Sequence, residues 1–189
     1  MKVVFLDRDG VISKYTPNDY VKKWEEFVFL PNAIKGLKIL NDAGYKIIII
    51  SNQAGVNKGI FSEEDLKDIT DKMEELLKKK GIKIEKVYYC IHTDEENCNC
   101  RKPKPGLFFK AKEEIGNIDF SKVFFIGDSE VDVKAGKSVG TKTILVLSGK
   151  TESKEETKNW KIKPDYIVKD LKEAAEFIVK LPYANLRSS

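Results

Sequence analysis

Six short strand-like runs, at residues 2–6, 45–50, 86–91, 123–126, 141–147 and 165–168, alternate with helix-patterned segments, and this alternation limits the fold more than any other feature of the chain. Runs such as Ile47-Ile48-Ile49-Ile50 are apolar without interruption. A strand with one face in water alternates apolar and polar residues, whereas one covered on both faces does not. The segments between them carry the helical period. Residues 33–43 place Ile34, Leu37 and Leu40 on one face, with Gly44 as the stop. Residues 62–80 open on Ser62-Glu63-Glu64-Asp65, a capping box with Asp in place of Glu, and end at Gly81. Further helices are expected over 107–115, 129–138 and 171–181. The expected architecture is α/β, a doubly wound, Rossmann-like parallel sheet covered by helices on both faces. A length of 189 residues suits one domain, over 1–181, with 182–189 as a C-terminal tail.

Ligands of such sheets bind beyond the carboxyl ends of the strands. Polar clusters stand at those ends: Asp7-Arg8-Asp9-Gly10, Ser51-Asn52-Gln53, Arg101-Lys102, and Gly127-Asp128-Ser129 with Asp132 beyond. Carboxylates that converge repel one another unless a cation joins them, and hard oxygen donors with room for a phosphate suit Mg²⁺. Ser51 and Lys102 add a hydroxyl and a positive charge, and Gly10 permits close backbone approach. These parts fit in-line phosphoryl transfer. Asp7 would attack phosphorus, and Asp9 would protonate the leaving alkoxide and then activate water. An isolated Asp-x-Asp more often only ends a strand and caps a turn. Several acidic and polar clusters in this order, each at a strand end, argue against that.

Asp7-Arg8-Asp9-Gly10-Val11-Ile12, Ser51-Asn52-Gln53, Lys102 and Gly127-Asp128-Ser129-Glu130-Val131-Asp132 resemble the motifs of the haloacid dehalogenase (HAD) superfamily, over nearly the whole chain. The resemblance implies a phosphatase with Asp7 as nucleophile and Asp9 as general acid/base. It implies magnesium on Asp7, the Asp9 backbone carbonyl and Asp128, with Asp132 in support behind them. Ser51, Asn52, Gln53, Arg101, Lys102 and Ser129 are the residues expected to bind substrate or phosphate. Neither usual insertion point has room for a large cap domain, so loops are expected to control access.

All three cysteines and the only histidine fall in one loop, within residues 90–105, as Cys90-x-His92 and Cys98-x-Cys100. A Cys₃His set suits a closed, tetrahedral zinc site. The alternatives are buried thiols beside an exposed imidazole, or a disulfide with a thiol left over. With its positions filled by protein, the zinc would be structural and would steady the loop leading into Arg101-Lys102-Pro103. Cys-x-His…Cys-x-Cys-Arg-Lys-Pro is similar to the zinc loop of the branch that holds D-glycero-D-manno-heptose 1,7-bisphosphate phosphatases and histidinol-phosphate phosphatases. Ser51-Asn52-Gln53-Ala54-Gly55-Val56 followed by Lys58-Gly59 leans toward the heptose side. Loop 13–21 is longer than that branch's Asn-x-Asp-x-Gly-Tyr-Val, and Ala54 stands where Ser is usual.

A net charge of +4 spread over 34 basic and 30 acidic residues is a mixed surface, not a nucleic-acid footprint. No apolar run is long enough to span a membrane and no signal peptide is evident, so a cytoplasmic location is expected; a monomer is the separate expectation for its assembly. Its expected partner is a phosphorylated sugar of heptose and carbohydrate metabolism. The rival readings are a histidinol-phosphate phosphatase or another small-metabolite phosphatase, a polynucleotide 3′-phosphatase, a zinc-stapled nucleic-acid binder and a phospho-accepting receiver domain. The receiver would want its acceptor Asp after a central strand, yet the run 45–50 ends in Ser51-Asn52.

Overall fold

The computed structural model describes residues 1–181; the expected tail at 182–189 lies outside the described residues. Six strands form one sheet: β1 (Val3–Leu6), β2 (Lys46–Asn52), β3 (Ile84–Cys90), β4 (Phe124–Gly127), β5 (Lys142–Val146) and β6 (Tyr166–Val168). Their spatial order is β3-β2-β1-β4-β5-β6, and every neighbouring pair is parallel. The helices are α1 (Ala33–Asp42), α2 (Glu63–Lys79), α3 (Gly106–Ile115), α4 (Glu130–Val139) and α5 (Leu171–Lys180). Short 3₁₀ turns at Trp24–Glu26, Phe120–Lys122 and Glu155–Asn159 are additions that the sequence pattern did not signal.

The pleat sorts each strand's residues between two cores. Val4, Leu6, Ile47, Ile49 and Ile126 pack with α1, α2 and α5 through Leu37, Leu40, Ile69, Met73 and Ile178. Val3, Phe5, Ile48, Ile50 and Phe125 pack on the other face with Phe108 and Ala111 of α3 and Ala135 of α4. Each fully buried side chain of this kind contributes roughly 1.5–3 kcal/mol, so the sheet is stabilised from both faces. The capping box at α2 is closed: Asp65 N–H donates to Ser62 Oγ at 3.0 Å, and Ser62 N–H to Asp65 Oδ2 at 2.9 Å.

The order of strands places β1 beside β4, where the chain's direction of travel across the sheet reverses. A crevice opens at the carboxyl ends there. Asp7 follows β1 and Asp128 follows β4. Among the described residues, the connection from β1 to α1 holds only a 3₁₀ turn and isolated bridges, and the connection from β2 to α2 holds no further strand or helix. Neither carries a cap domain. No helix of the described residues is long and apolar enough to cross a membrane.

Candidate active site

Each strand end delivers one part of the site. Asp7 ends β1 with its N–H bonded to the Ile126 carbonyl at 2.9 Å, which ties it to β4. Across that junction, carboxylate oxygens of Asp7, Asp128 and Asp132 lie within 4.8 Å of one another. Lys102 sits between two of them, 3.0 Å from Asp7 Oδ2 and 2.6 Å from Asp132 Oδ1, with its side chain 2% exposed. Ser129 Oγ donates to Asp132 Oδ2 at 2.6 Å, and the Lys150 N–H donates to Asp128 Oδ2 at 2.6 Å.

The electrostatics follow from burial. Loss of water pushes the Asp7 carboxyl up to about 6, opposed by Lys102 and reinforced by Asp132. Burial, with Asp132 and Asp7 alongside, drives Asp128 well above the ordinary carboxylate range. Burial also acts on Asp132, but its ion pair with Lys102 outweighs that and holds it low. Burial would lower Lys102, yet Asp132 and Asp7 together raise it, so it stays a cation.

The backbone is shaped to this cluster. Gly10 has φ +84°, and a Cβ there would fall 2.0 Å from Asp128 Oδ2. Gly149 packs beside Gly10: a Cβ there would fall 2.1 Å from the same oxygen and 2.5 Å from Gly10 Cα. Above the cluster opens a cavity of about 520 Å³. Its floor includes Asp7, Asp9, Ser51, Asn52, Lys102, Asp128 and Ser129, and Tyr15, Thr16 and Asn18 to Val21 of the following loop form one wall. Lys58, Arg101 and Lys150 bring positive charge to it.

Two expected contacts are placed differently. Gln53 is fully buried and does not line the cavity; its amide donates to Asp9 Oδ2 at 2.7 Å and to Ser51 Oγ at 3.3 Å. It lies one residue past β2 with its side chain turned inward against the Asp9 carboxylate. Arg101 reaches the cavity wall, but its guanidinium already grips Asp94, at 2.6 Å through Nε and 3.3 Å through Nη2. Asn52 does line the cavity, and its amide also clamps the Lys102 backbone at 3.0 Å in both directions. Ser129 lines it with its hydroxyl committed to Asp132.

Beside Lys102, the cysteines and histidine converge. Sulfur–sulfur separations among Cys90, Cys98 and Cys100 are 3.1–3.6 Å, and His92 Nδ1 is 3.1 Å from Cys100 Sγ and 3.6 Å from Cys90 Sγ. Zinc–thiolate bonds of about 2.3 Å in a tetrahedron set sulfurs roughly 3.8 Å apart. These four side chains can hold a metal ion. No disulfide joins the cysteines. Neighbouring contacts brace the loop: Lys104 Nζ donates to the Cys98 carbonyl at 2.9 Å, and Asn57 donates to both Glu96 oxygens at 2.8 and 2.9 Å.

A HAD-hydrolase-like family profile matches residues 99–174. A D-glycero-β-D-manno-heptose-1,7-bisphosphate 7-phosphatase of Pasteurella multocida is 34% identical over 184 residues, covering 94% of this chain and 96% of its own. The chain belongs to the heptose bisphosphate phosphatase family of HAD-like hydrolases. It is a phosphatase. The Helicobacter pylori (strain J99) enzyme of the same name is 40% identical over 148 residues, 78% of this chain and 83% of that one. A D,D-heptose 1,7-bisphosphate phosphatase from B. bronchiseptica, complexed with magnesium and phosphate, superimposes with a TM-score of 0.89 at 28% identity, covering 95% of this chain and 99% of that one. The same likeness sets aside the receiver and nucleic-acid-binding readings.

The donors of both clusters fit a metal ion. Three buried carboxylates beside a single lysine form an overly anionic, oxygen-only cluster, which suits a hard divalent ion. The soft Cys₃His set suits a borderline metal. Two residues of the site were missed in the sequence. Arg8 is wholly buried against Asp9, although an arginine between acids ordinarily reads as a solvated turn residue. Lys150 enters the cavity wall from the loop after β5; the Ser148-Gly149 that precedes it is the one sequence signal that the loop approaches something closely.

Proposed function

We propose that the chain removes the 7-phosphate of D-glycero-D-manno-heptose 1,7-bisphosphate through an aspartyl-phosphate at Asp7, with residues 1–181 acting as one phosphatase unit. The observation that carries this reading is the pairing of Asp7 and Lys102 at the floor of a cavity whose wall holds further cations. Asp7 attacks phosphorus in line, Lys102 and the Ser51 hydroxyl meet the phosphoryl oxygens, and Asp9 gives a proton to the departing sugar oxygen. Asp9 then takes a proton from water, which attacks the aspartyl-phosphate and frees inorganic phosphate. Asp7, Asp128 and the Asp9 backbone carbonyl would hold magnesium, which would supply charge stabilisation to the transferring group. Cys90, His92, Cys98 and Cys100 would hold zinc, which would fix the loop that carries Lys102.

The rest of the molecule must be held by the wall. Lys102 is paired with two carboxylates and Arg101 with Asp94. Among the described residues, no carboxylate pairs with Lys58 or Lys150; the Lys58 ammonium lies 5.8 Å from the centre of the Tyr20 ring. Neither is held in an ion pair, although Asp94 and Glu95 lie within electrostatic reach of Lys58, and these two lysines are the cations placed to meet a second phosphate, with Arg101 joining if it leaves Asp94. Histidinol phosphate brings an amine and an imidazole instead, and a lysine-rich wall disfavours it. The test compares kcat/KM for the two substrates in wild type, Arg101→Ala, and a Lys58→Ala/Lys150→Ala double variant. The bisphosphate is expected to be preferred, and the double variant to lose that preference. A better rate with histidinol phosphate, or an unchanged double variant, defeats the proposal.

A further inference from the structure

The bulkiest of the wholly buried side chains belongs to Arg8, which the mechanism above leaves without a task. It lies two residues past β1 and is absent from the cavity lining, which its neighbours Asp7 and Asp9 both join. Burying a guanidinium is costly unless a carboxylate meets it with good geometry. Among the described residues the carboxylate it meets is Asp9, through Nε to Oδ1 at 3.2 Å and Nη2 to Oδ2 at 2.9 Å. Gln53, also wholly buried, donates to Asp9 Oδ2 at 2.7 Å, and Ser13 Oγ donates to Oδ1 at 2.8 Å. Both oxygens of Asp9 are thereby held from below by two donors each.

The support has its own foundation. The Arg8 guanidinium lies over the Tyr89 ring, 5.6 Å from its centroid. The Tyr89 hydroxyl meets Thr70 Oγ of α2 at 2.9 Å. The Arg8 carbonyl closes the turn by accepting from the Ile12 and Ser13 N–H groups at 2.8 and 2.9 Å. Asp9 follows a strand end, in a turn that includes a glycine, where a carboxyl on two rotatable bonds would otherwise swing. Displacement of a proton donor by about 1 Å can cost on the order of a hundredfold in rate.

We propose that Arg8 and Gln53 are positioning residues that aim the Asp9 carboxyl at the leaving oxygen and at the hydrolytic water. This rests on the reading of Asp9 as general acid/base. It assigns Gln53 a task other than phosphate binding, and gives a reason for an arginine where an apolar residue would bury at less cost.

The experiment uses Arg8→Met, Arg8→Lys and Gln53→Met, with Asp9→Asn as reference. Each is assayed with the heptose bisphosphate and with p-nitrophenyl phosphate, and the aspartyl-phosphate is followed by intact mass after rapid quench. An aryl leaving group needs little protonation, so a misaimed Asp9 should slow the first step only for the sugar phosphate. Hydrolysis of the intermediate should slow with both. Expected for the Arg8 variants are a kcat lower by about ten- to a hundredfold on the bisphosphate and a KM within about threefold of wild type. Phosphoenzyme should also accumulate with p-nitrophenyl phosphate. Arg8→Lys, which keeps charge but lacks the fork, should not rescue. If the Arg8 variants do not fold, Gln53→Met decides by the same readouts. Folded variants that lose rate equally on both substrates, with no trapped intermediate, overturn the proposal provided Asp9→Asn shows the trap. If Asp9→Asn shows no trap and no dependence on leaving group, the acid/base reading itself falls, and this inference with it.

Discussion

Lys102→Met should destabilise the protein and abolish turnover, and the size of the first effect can be worked from the site. Among the described residues, the ammonium of Lys102 is the cation paired with the buried carboxylates, at 3.0 Å from Asp7 and 2.6 Å from Asp132. Met fills a similar volume, so packing changes little. What remains is three carboxyl groups within 4.8 Å and no lysine among them. Removing one partner of a buried ion pair costs about 3–5 kcal/mol, because the other charge is left unpaired. For a chain of this size that lowers Tm by about 6–20 °C. The pH dependence has a definite sign. Lys102 holds Asp132 below its ordinary range, so its contribution is present near neutrality and is lost as pH falls through the carboxylate range. The gap between wild type and variant should therefore be widest near neutral pH and narrow in mild acid, where the carboxyls can protonate. Urea unfolding without added metal at about pH 7.5 and about pH 5 measures this. Magnesium, neutralising the same carboxylates, should restore part of the lost stability but not the activity. A variant as stable as wild type at about pH 7.5 without metal would refute the idea that Lys102 balances this cluster.

Asp7→Asn should leave no measurable turnover by phosphate release and an unaltered or slightly raised Tm, because it removes one of several crowded carboxylates; a fully active variant would end the aspartyl-phosphate mechanism. Asp128→Asn should raise the magnesium concentration needed for half-maximal activity, read from a magnesium titration. Burial raises Asp7 to about 6, so without metal its contribution to stability is present below the ordinary carboxylate range and is lost as pH rises through about 6. Magnesium must displace that proton, so its Tm increment should be larger at about pH 7.5 than at about pH 5; equal increments would contradict the assignment. Protein purified without added metal should contain zinc by elemental analysis, and chelation or Cys98→Ser should lower Tm. Absence of zinc together with freely reactive native thiols would rule that site out.

The sheet was readable because each central strand is buried on both faces, so composition alone marks it. Ile47 to Ile50 are apolar whichever face they serve. Where burial is partial the signal weakens. The expected strand at 86–91 starts at Ile84 in the structure, since β3 is an edge strand whose Lys86 is exposed and whose Glu85 pairs with Lys46 and Lys83, and these charges break the apolar run. The 3₁₀ turns were invisible for a related reason: three to five residues carry no period. The acidic parts of the site were readable because strand ends fix where they must lie.

Contacts made across loops were not readable, and they change the meaning of several residues. Asn52 reads as a phosphate ligand by its place after β2, yet its amide spends both of its hydrogen-bonding ends on the backbone of Lys102, 50 positions away. Arg101 reads as a phosphate fork, yet Asp94, seven positions before it, occupies that fork. Both contacts belong to one arrangement. Asn57 grips Glu96, between the two pairs of metal-binding side chains, and Asn52 grips Lys102 after them, so the Cys/His loop is fastened to the end of β2 and the segment beyond it at two points, while Lys104 grips the Cys98 carbonyl within the loop. A loop with little core of its own keeps a lysine in place only if its ends are tied together and the lysine is anchored beyond them. Here the proposed zinc would tie the two ends of the loop, and Asn52 at the end of β2 anchors the Lys102 backbone. Loss of either should therefore loosen the same ammonium from Asp7, although the two attachments share no residue.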